Sequence, residues 1–265
     1  MRFDVITLFP ELFAPFLSHG INRRAFESRQ VDVRQVDVRL WQLRDFAEGN
    51  YRRVDDRPFG GGPGMVMQAD PIYRCWQAIR ADRAAAEADP VPTVLFSPLG
   101  ERLAHPVVER FCGGQGAILV CGRYEGLDQR FIDACVDVQI SLGDFVLSGG
   151  EIAAMALLDS VARLQPGVLN DAGSHQQDSF NPALDGLLDC PHYTRPEVWQ
   201  GPDGQVPVPP VLLSGHHGQI EAWRRQQRLR QTAQCRPDVL DSVRERGALS
   251  RADLQWLREQ GLDKD

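Results

Sequence analysis

The sequence predicts an α/β fold with a mainly parallel sheet, followed by a smaller, mostly helical C-terminal domain. In the first part of the chain, short apolar runs alternate with helical segments, which is typical of βαβ units. Helical patterning returns near residue 219, after a stretch rich in glycine, proline and aspartate. The length of 265 residues suits one large or two modest domains, at roughly 150 residues each.

The predicted strands are short runs of apolar or β-branched residues. They cover residues 3–8, 93–96, 117–121 and 136–140, together with the stretch marked by Val31, Val33, Val36 and Val38. Helices are predicted at residues 70–88, 105–111, 127–134, 151–164, 219–234, 237–246 and 250–260. Asp70 and Pro71 suggest an N-cap and a first-turn proline, whereas Ser250 and Asp253 suggest a capping box.

Composition restricts the class of protein. The 36 acidic and 29 basic residues give a net charge of -7, which argues against a protein that coats nucleic acid nonspecifically. Lys264 is the only lysine, so a local basic surface would depend on arginine. We expect neither a secretory signal nor a membrane-spanning run, and the six cysteines lack zinc-ligand spacing. We therefore expect a reduced cytoplasmic protein without a cysteine-based metal site.

A first glycine-rich segment, residues 57–65 (RPFGGGPGM), is a candidate for ligand binding. It matches neither a Walker loop nor a GxGxxG motif. Glycine and proline allow a tight backbone course that approaches a ligand closely. The neighbouring Arg52, Arg53 and Arg57 favour a loop that contacts phosphate, and a plain loop remains the alternative.

A second glycine-rich segment, residues 141–151, leaves a predicted strand and enters a helix. Gly149 and Gly150 lie at the start of that helix, where unpaired N–H groups can bind a polar or anionic ligand. Residues 121–126 (CGRYEG) follow another predicted strand. Because ligands bind at the carboxyl ends of such strands, the two segments together predict an apolar pocket of nucleoside size.

The spacing of the candidate acidic and basic residues does not by itself indicate catalysis. Asp178 lies in the polar stretch from residue 170 to about 210, and a lone loop carboxylate is usually solvated. Arg163 follows Asp159 by four residues on a predicted helix, so an ion pair explains it. The polar stretch is long for a loop, which indicates a functional loop or an interdomain linker.

The predicted helix near Trp223 is basic. Glu221 is the only acid between residues 216 and 236, and the arginines of the helix are Arg224, Arg225, Arg228 and Arg230. A basic helix face beside an aromatic ring fits contact with an RNA backbone. A solvated helix is the alternative.

These segments resemble the TrmD family of SPOUT methyltransferases, the bacterial tRNA (guanine-N1)-methyltransferases. The resemblance covers nearly the whole chain, and its blocks occur in order. They are FDVITLFPELF (3–13), RPFGGGPGM (57–65), VCGRYEGLDQRF (120–131), ISLGDFVLSGGE (140–151), SVARLQPGV (160–168), DSF (178–180), LDCPHYTRPEVW (188–199) and VLLSGHHGQIEAWR (211–224). Several long blocks in order are far more specific than any single glycine pattern.

The resemblance implies S-adenosylmethionine as the methyl donor and N1 of the guanine at tRNA position 37, next to the anticodon, as the acceptor. It implies a SPOUT-type parallel-sheet domain at residues 1–169 with a C-terminal trefoil knot that binds the cofactor. A flexible linker at 170–186 and a helical tRNA-binding domain at 187–265 would follow. It also implies a homodimer with the active site at the subunit interface, and a possible requirement for Mg²⁺.

The motif matches also assign residues. The implied cofactor contacts are Leu95, Phe96, Ser97, Pro98, Gly122, Tyr124, Glu125, Leu142, Gly143, Asp144, Phe145, Val146, Leu147, Gly149 and Gly150. Asp178 would be the general base, and Arg163 would support the target guanine. The implied tRNA contacts are Arg52, Arg57, Arg123, His192, Arg224, Arg225 and Arg228.

The implied chemistry explains the two catalytic roles. Guanine N1 carries a proton at neutral pH, and a positioned carboxylate can take it. An arginine near O6 can stabilise the negative charge that develops as the proton leaves. Two other functions stay open: a SPOUT-type RNA ribose 2′-O-methyltransferase, and an RNA-binding module without catalysis.

Overall fold

The computed structural model describes residues 1–27, 36–169 and 174–263. The chain divides into two compact units, Met1–Ala172 and Gly173–Asp265. The strands of the first unit are β1 (Arg2–Thr7), β2 (Asp37–Gln42), β3 (Asp55–Asp56), β4 (Val66–Met67), β5 (Thr93–Arg102), β6 (Gly116–Val120) and β7 (Val138–Ser141). Five of them form one sheet in the order β2-β1-β6-β5-β7, and every neighbouring pair in it is parallel. The predicted α/β fold with a parallel sheet is therefore confirmed.

Helices of the first unit lie on both faces of this sheet: α1 (Phe13–Ser18), α2 (Arg23–Glu27), α3 (Ala69–Ala85), α4 (His105–Cys112), α5 (Gln129–Cys135) and α6 (Glu151–Arg163). The buried side chains of β1 divide between two apolar clusters because successive side chains point to opposite faces. Phe3 and Val5 share a cluster with Leu157 of α6, whereas Ile6 shares the other with Ile79 of α3. The sheet is thus covered on both sides, as a parallel sheet requires.

Some boundaries differ from the sequence prediction, and part of one predicted strand is not tested. The N-cap of α3 is Gln68 rather than Asp70, because the backbone of Gln68 is still extended and Asp70 lies within the first helical turn. Strand β5 is longer than predicted and continues past an irregular step in its pairing with β7. Val31 and Val33 lie outside the described residues, and β2 begins after Val36.

The second unit contains α7 (Pro210–Leu213), α8 (His217–Cys235), α9 (Pro237–Glu245) and α10 (Arg251–Glu259). Its core is a small apolar cluster that includes Leu229, Leu240 and Leu257, one residue from each of the three longer helices. The predicted capping box is confirmed, because the Ser250 hydroxyl accepts from the Asp253 N–H and the Asp253 carboxylate accepts from the Ser250 N–H.

The polar stretch before α7 contains regular structure that the sequence analysis did not predict. Two short 3-10 helices, Ser174–Gln177 and Pro182–Leu184, precede an antiparallel hairpin of β8 (Val198–Gly201) and β9 (Gly204–Pro207). Almost every residue of the hairpin is exposed, so its strands lack the apolar alternation that usually reveals a strand. The Asp203-Gly204 turn was the available signal.

Across the described parts of the chain, no helix combines the length and apolar character needed to cross a membrane.

Candidate active site

The candidate site forms at the edge of the sheet where β6 and β7 end and where the pairing of β5 with β7 becomes irregular after Phe96. The segment after β7 turns back to the end of β6, because the Gly150 N–H donates to the Gly122 carbonyl over 2.9 Å. An isolated bridge joins Arg123 to Gly149 beside this bond. A Cβ atom on Gly150 would lie 2.8 Å from the Cα atom of Cys121, so only glycine allows this close approach.

A cavity of about 90 Å³ opens between β5 and the segment that joins β7 to α6. Ten of the implied cofactor residues line it: Phe96, Ser97, Pro98, Leu142, Gly143, Phe145, Val146, Leu147, Gly149 and Gly150. Ile140, Ser141 and Ala153 also line it, and the resemblance did not assign them. The apolar walls and the backbone groups at the start of α6 suit the apolar face and the polar end of a nucleoside, and the cavity itself is smaller than the roughly 300–1,000 Å³ of a whole small-molecule site, so it would hold only part of the ligand.

The other implied cofactor residues lie outside this lining. Leu95 is buried within β5, and Gly122 contributes the carbonyl that Gly150 binds. Tyr124 is about half exposed, with a positive φ of 59°. The Asp144 carboxylate is almost fully exposed and pairs with Arg102 over 3.1 Å.

Glu125 instead connects the loop after β6 to the first glycine-rich segment, residues 57–65, which is the loop of the β3–β4 hairpin. The Glu125 N–H donates to the Met65 carbonyl over 3.0 Å, and the Met67 N–H donates to the Gly126 carbonyl over 2.9 Å. The Glu125 side chain lies where a Cβ atom on Gly64 would be. The glycine loop is therefore a neighbour of the strand-end site.

An ion pair that the sequence analysis missed holds the segment before α6. The Glu151 side chain is 1% exposed, and its Oε2 lies 3.0 Å from Nε of Arg123. The Thr7 hydroxyl donates to Oε1 of Glu151 over 2.9 Å, and Nη1 of Arg123 donates to the Ser148 carbonyl over 3.2 Å. Arg123, implied as a tRNA contact, is thus engaged inside the first unit. The only sequence signal for this ion pair was that a charged residue, Glu151, directly follows Gly149-Gly150.

The two implied catalytic residues lie in different units. Arg163 is the last residue of α6 in the first unit, and it is exposed. Asp178 follows a 3-10 helix in the second unit and is half-buried. The Asp178 N–H donates to the His175 carbonyl over 3.2 Å, and the Asp178 carbonyl accepts from the Asn181 N–H over 3.2 Å. These bonds fix the backbone that carries the carboxylate.

Two of the implied tRNA-binding arginines on α8 form ion pairs within the second unit. Arg225 donates two bonds to the Asp253 carboxylate, over 3.1 and 3.0 Å, and it also pairs with Asp185 over 2.8 Å. Arg228 is nearly buried and donates to Glu221 over 2.7 Å. These two side chains connect helices and loops of the unit to one another.

The remaining implied tRNA contacts are more exposed. Arg52 pairs with Asp45 over 3.0 Å, with both side chains mostly exposed. Nε2 of His192 lies 2.8 Å from Oδ2 of Asp189. Burial raises the pKa of Asp189, but hydrogen bonds from the Cys190 N–H and from His192 outweigh this and leave the pKa below its usual value. Arg57 is exposed at the start of the glycine loop.

Within the described ranges, no group of three or more histidine, cysteine, aspartate or glutamate side chains is arranged to hold a metal ion. The six cysteines are free, and Cys235 is exposed. Burial raises the pKa of Cys112 to about 11, and it raises the pKa of Cys121 further above its ordinary value. Thiols in such surroundings behave as small apolar side chains.

Comparisons with known proteins identify the family. A family model described as tRNA (Guanine-1)-methyltransferase TrmD matches residues 1–242. The tRNA (guanine-N(1)-)-methyltransferase of Paracidovorax citrulli is 68% identical over 96% of this chain and 96% of its own length. That of a Polaromonas species is 66% identical over 98% of this chain and 96% of its own length. The crystal structure of tRNA (m1G37) methyltransferase from Aquifex aeolicus has 35% sequence identity and a TM-score of 0.68, covering 91% of this chain and 95% of that one. This chain belongs to the TrmD family of tRNA (guanine-1)-methyltransferases.

Proposed function

We propose that this protein transfers a methyl group from S-adenosylmethionine to N1 of guanine 37 in tRNA. The observation that carries the proposal is the cavity between β5 and the segment that joins β7 to α6, which ten of the implied cofactor residues line. Its apolar walls and the N–H groups at the start of α6 fit an adenosine that carries a charged tail. The bound cofactor would supply an electrophilic methyl group on sulfur.

The residues of this chain would handle the proton and the charge of the guanine. Asp178 would accept the proton from N1, because the lone pair on that nitrogen must be free to attack the methyl group. Arg163 would donate to O6, where negative charge develops as the proton leaves. The guanine would have to leave its stack to reach the cavity, which costs a few kcal/mol.

A trefoil knot and a homodimer belong to the same proposal. The return of the segment 142–150 to the end of β6 supports the knot, since this segment must pass close to a neighbouring strand end. Exposed apolar side chains lie on β5 and on the segment after β7, including Leu99 and Val146, each 86% exposed. A second copy of the chain would cover them and would place the active site at the subunit interface.

Magnesium and location complete the proposal. A requirement for Mg²⁺, which the resemblance implies, stays part of the proposal, and the described residues contain no group of three or more histidine, cysteine, aspartate or glutamate side chains arranged to hold the ion. Six free cysteines, most of them buried, support a reducing compartment such as the cytoplasm.

The proposal is tested with unmodified tRNA transcripts that differ only in the base at position 37. We expect methyl transfer with guanine there and none with adenine. A transcript with a 2′-deoxy nucleotide at position 37 should react as well as its parent, whereas loss of product would favour ribose methylation. Calorimetry with S-adenosylmethionine alone should show heat, and its absence would favour a module that only binds RNA.

Asp178 is tested by Asp178→Ala, with Asp203→Ala in the exposed turn of the β8–β9 hairpin as the matched control. We expect Asp178→Ala to abolish methyl transfer and to leave the affinity for S-adenosylmethionine nearly unchanged. The control should keep both properties. Near-normal turnover in Asp178→Ala would remove this residue as the general base.

A further inference from the structure

The second unit contains a cavity of about 460 Å³ that the proposed mechanism does not use. It lies between the segment before β8, helix α7 and the first turns of α8, and its lining residues all belong to this unit. They are Pro191, His192, Tyr193, Thr194, Arg195, Glu197, Val208, Leu212, Leu213, Ile220, Trp223 and Arg224. Its volume falls within the range of roughly 300 to 1,000 Å³ that small-molecule sites occupy.

Two aromatic rings meet in this cavity. The ring centroids of Tyr193 and Trp223 are 6.2 Å apart, with the planes inclined by 58°. Tyr193 is 47% exposed although it lies against a second large ring, so one face of the pair remains open. Aliphatic side chains of Leu212, Leu213 and Ile220 complete the apolar wall. A flat apolar group can stack on such a surface.

The charge at the rim comes mainly from arginine. On α8, Arg225 and Arg228 are held by carboxylates, and Arg230 donates to Gln260 over 2.7 Å. By contrast, none of the residues that the structure describes forms an ion pair or side-chain hydrogen bond with Arg224, which lines the cavity. Arg195 also lines it, and Glu197 is the one acid in the lining. The rim therefore favours an anionic group beside the aromatic surface.

We propose that this cavity binds one unstacked nucleotide of the tRNA other than the target guanine. The base stacks on the open face of Tyr193 beside the tilted ring of Trp223, and the guanidinium group of Arg224 binds a flanking phosphate. Bases stack on aromatic side chains irrespective of sequence, and arginine binds phosphate in a bidentate manner. A nucleotide always has a ring next to an anionic phosphate, so it matches an aromatic pair beside Arg224. A peptide does not necessarily have a ring next to an anion, so it matches this site less well. The inference rests on the proposed tRNA substrate.

The experiment compares the full chain with Tyr193→Leu, which removes the ring and keeps an apolar side chain. The matched control is Tyr73→Leu, because Tyr73 is 42% exposed and stacks on Trp76 at 5.8 Å, in the first unit and outside this cavity. The ligands are tRNA transcripts in which single unpaired nucleotides outside position 37 are made abasic. The readout is the dissociation constant of tRNA from filter binding at fixed salt.

We expect one abasic position to weaken binding to the unaltered protein roughly 5- to 150-fold, as the loss of one stacked base does. Tyr193→Leu should weaken binding of intact tRNA by a similar factor, and that abasic position should then have no further effect. Tyr73→Leu should bind every transcript as the unaltered protein does. Arg224→Gln should reduce the slope of log affinity against log salt by about 1.

Tyr193→Phe, which keeps the ring, should bind as the unaltered protein does, and loss of affinity in this variant would overturn the stacking argument. The inference also fails if the effects of all abasic positions are the same in Tyr193→Leu and Tyr73→Leu. Tyr193→Leu could also bind intact tRNA more weakly while every abasic position weakens its binding as much as it weakens binding to the unaltered protein. That result would overturn the inference, because the cavity would then bind something other than an unstacked nucleotide. Failure of the proposed function would appear separately, as absence of methyl transfer to guanine 37 by the unaltered protein.

Discussion

The Glu151→Gln substitution tests whether the buried ion pair before α6 stabilises the candidate site. Glu151 is 1% exposed and accepts from the Thr7 hydroxyl, while Arg123, whose side chain is 19% exposed, pairs with it. Glutamine has nearly the same size and can still accept one hydrogen bond. The substitution therefore removes the negative charge, and the glutamine side chain fills the space that glutamate occupied.

The expected cost follows from the burial of the two partners. Breaking a fully buried ion pair costs about 3–5 kcal/mol, and a single hydrogen bond to a charged group contributes about 1.5–3 kcal/mol. Because Arg123 keeps some contact with water and glutamine keeps one bond, we expect a loss of about 2 kcal/mol. For a unit the size of Met1–Ala172, this lowers Tm by roughly 4–8 °C.

Thermal unfolding of the full chain, followed by circular dichroism and calorimetry, measures this change. Glu48→Gln is the control, because Glu48 pairs with Arg74 at the surface, where its side chain is 81% exposed. That change should stay within about 0.5 kcal/mol. The reasoning is refuted if Glu151→Gln melts with the unaltered protein. It is also refuted if the losses in Glu151→Gln and Arg123→Gln add fully in the double variant, since two members of one pair should couple.

Three further predictions concern packing, pH and thiol chemistry. Gly150→Ala should prevent stable folding of the first unit, because the added Cβ atom would lie 2.8 Å from the Cα atom of Cys121. Gly218→Ala is the control, since a Cβ atom at position 218 would meet open space, and this variant should fold normally in expression and melting assays. Burial raises the pKa of Asp253, but hydrogen bonds from Arg225 and Ser250 outweigh this and lower the pKa below 3.8. The ionised Asp253 carboxylate therefore stabilises the folded state above pH 3.8, and this stabilisation is lost as the pH falls through the lower pKa that Asp253 has in the folded protein. Denaturant titrations below pH 4 should show a steeper loss of stability in the unaltered protein than in Asp253→Asn. At pH 8, iodoacetamide should label the exposed Cys235 first, as mass spectrometry of the native protein can show, and early labelling of the buried cysteines would contradict the burial described above.

Local sequence signals predicted most of the regular structure. The apolar run at residues 3–8 became the fully buried strand β1, and the serine and aspartate of the capping box formed both predicted bonds. These signals are local because an apolar run or a cap depends on residues only a few positions apart. The β8–β9 hairpin escaped prediction because its strands are exposed and have no buried face to produce an alternating pattern.

The candidate site was predicted by family motifs more than by chemistry. On spacing alone, Asp178 was an ordinary loop carboxylate and Arg163 an ordinary helical cation, and only the resemblance gave them roles. The structure added contacts that neither the residue spacing nor the family resemblance contained. It brought Phe96 of β5 to one cavity with Leu142 and Gly150 of the segment after β7, and it revealed Glu151 as the partner of Arg123.

The sequence by itself determined the α/β alternation, the helical C-terminal part and the family, because these depend on local periodicity and on ordered motifs. Tertiary structure alone decided which arginines are available to a ligand. Arg224 and Arg225 are adjacent in the sequence, yet Arg225 binds Asp253, 28 residues away, while Arg224 lines a cavity. The physical reason is that successive helical residues point about 100° apart, so a neighbour in sequence can face a buried carboxylate or an open site. Which of the two it faces is set by the packing of distant segments.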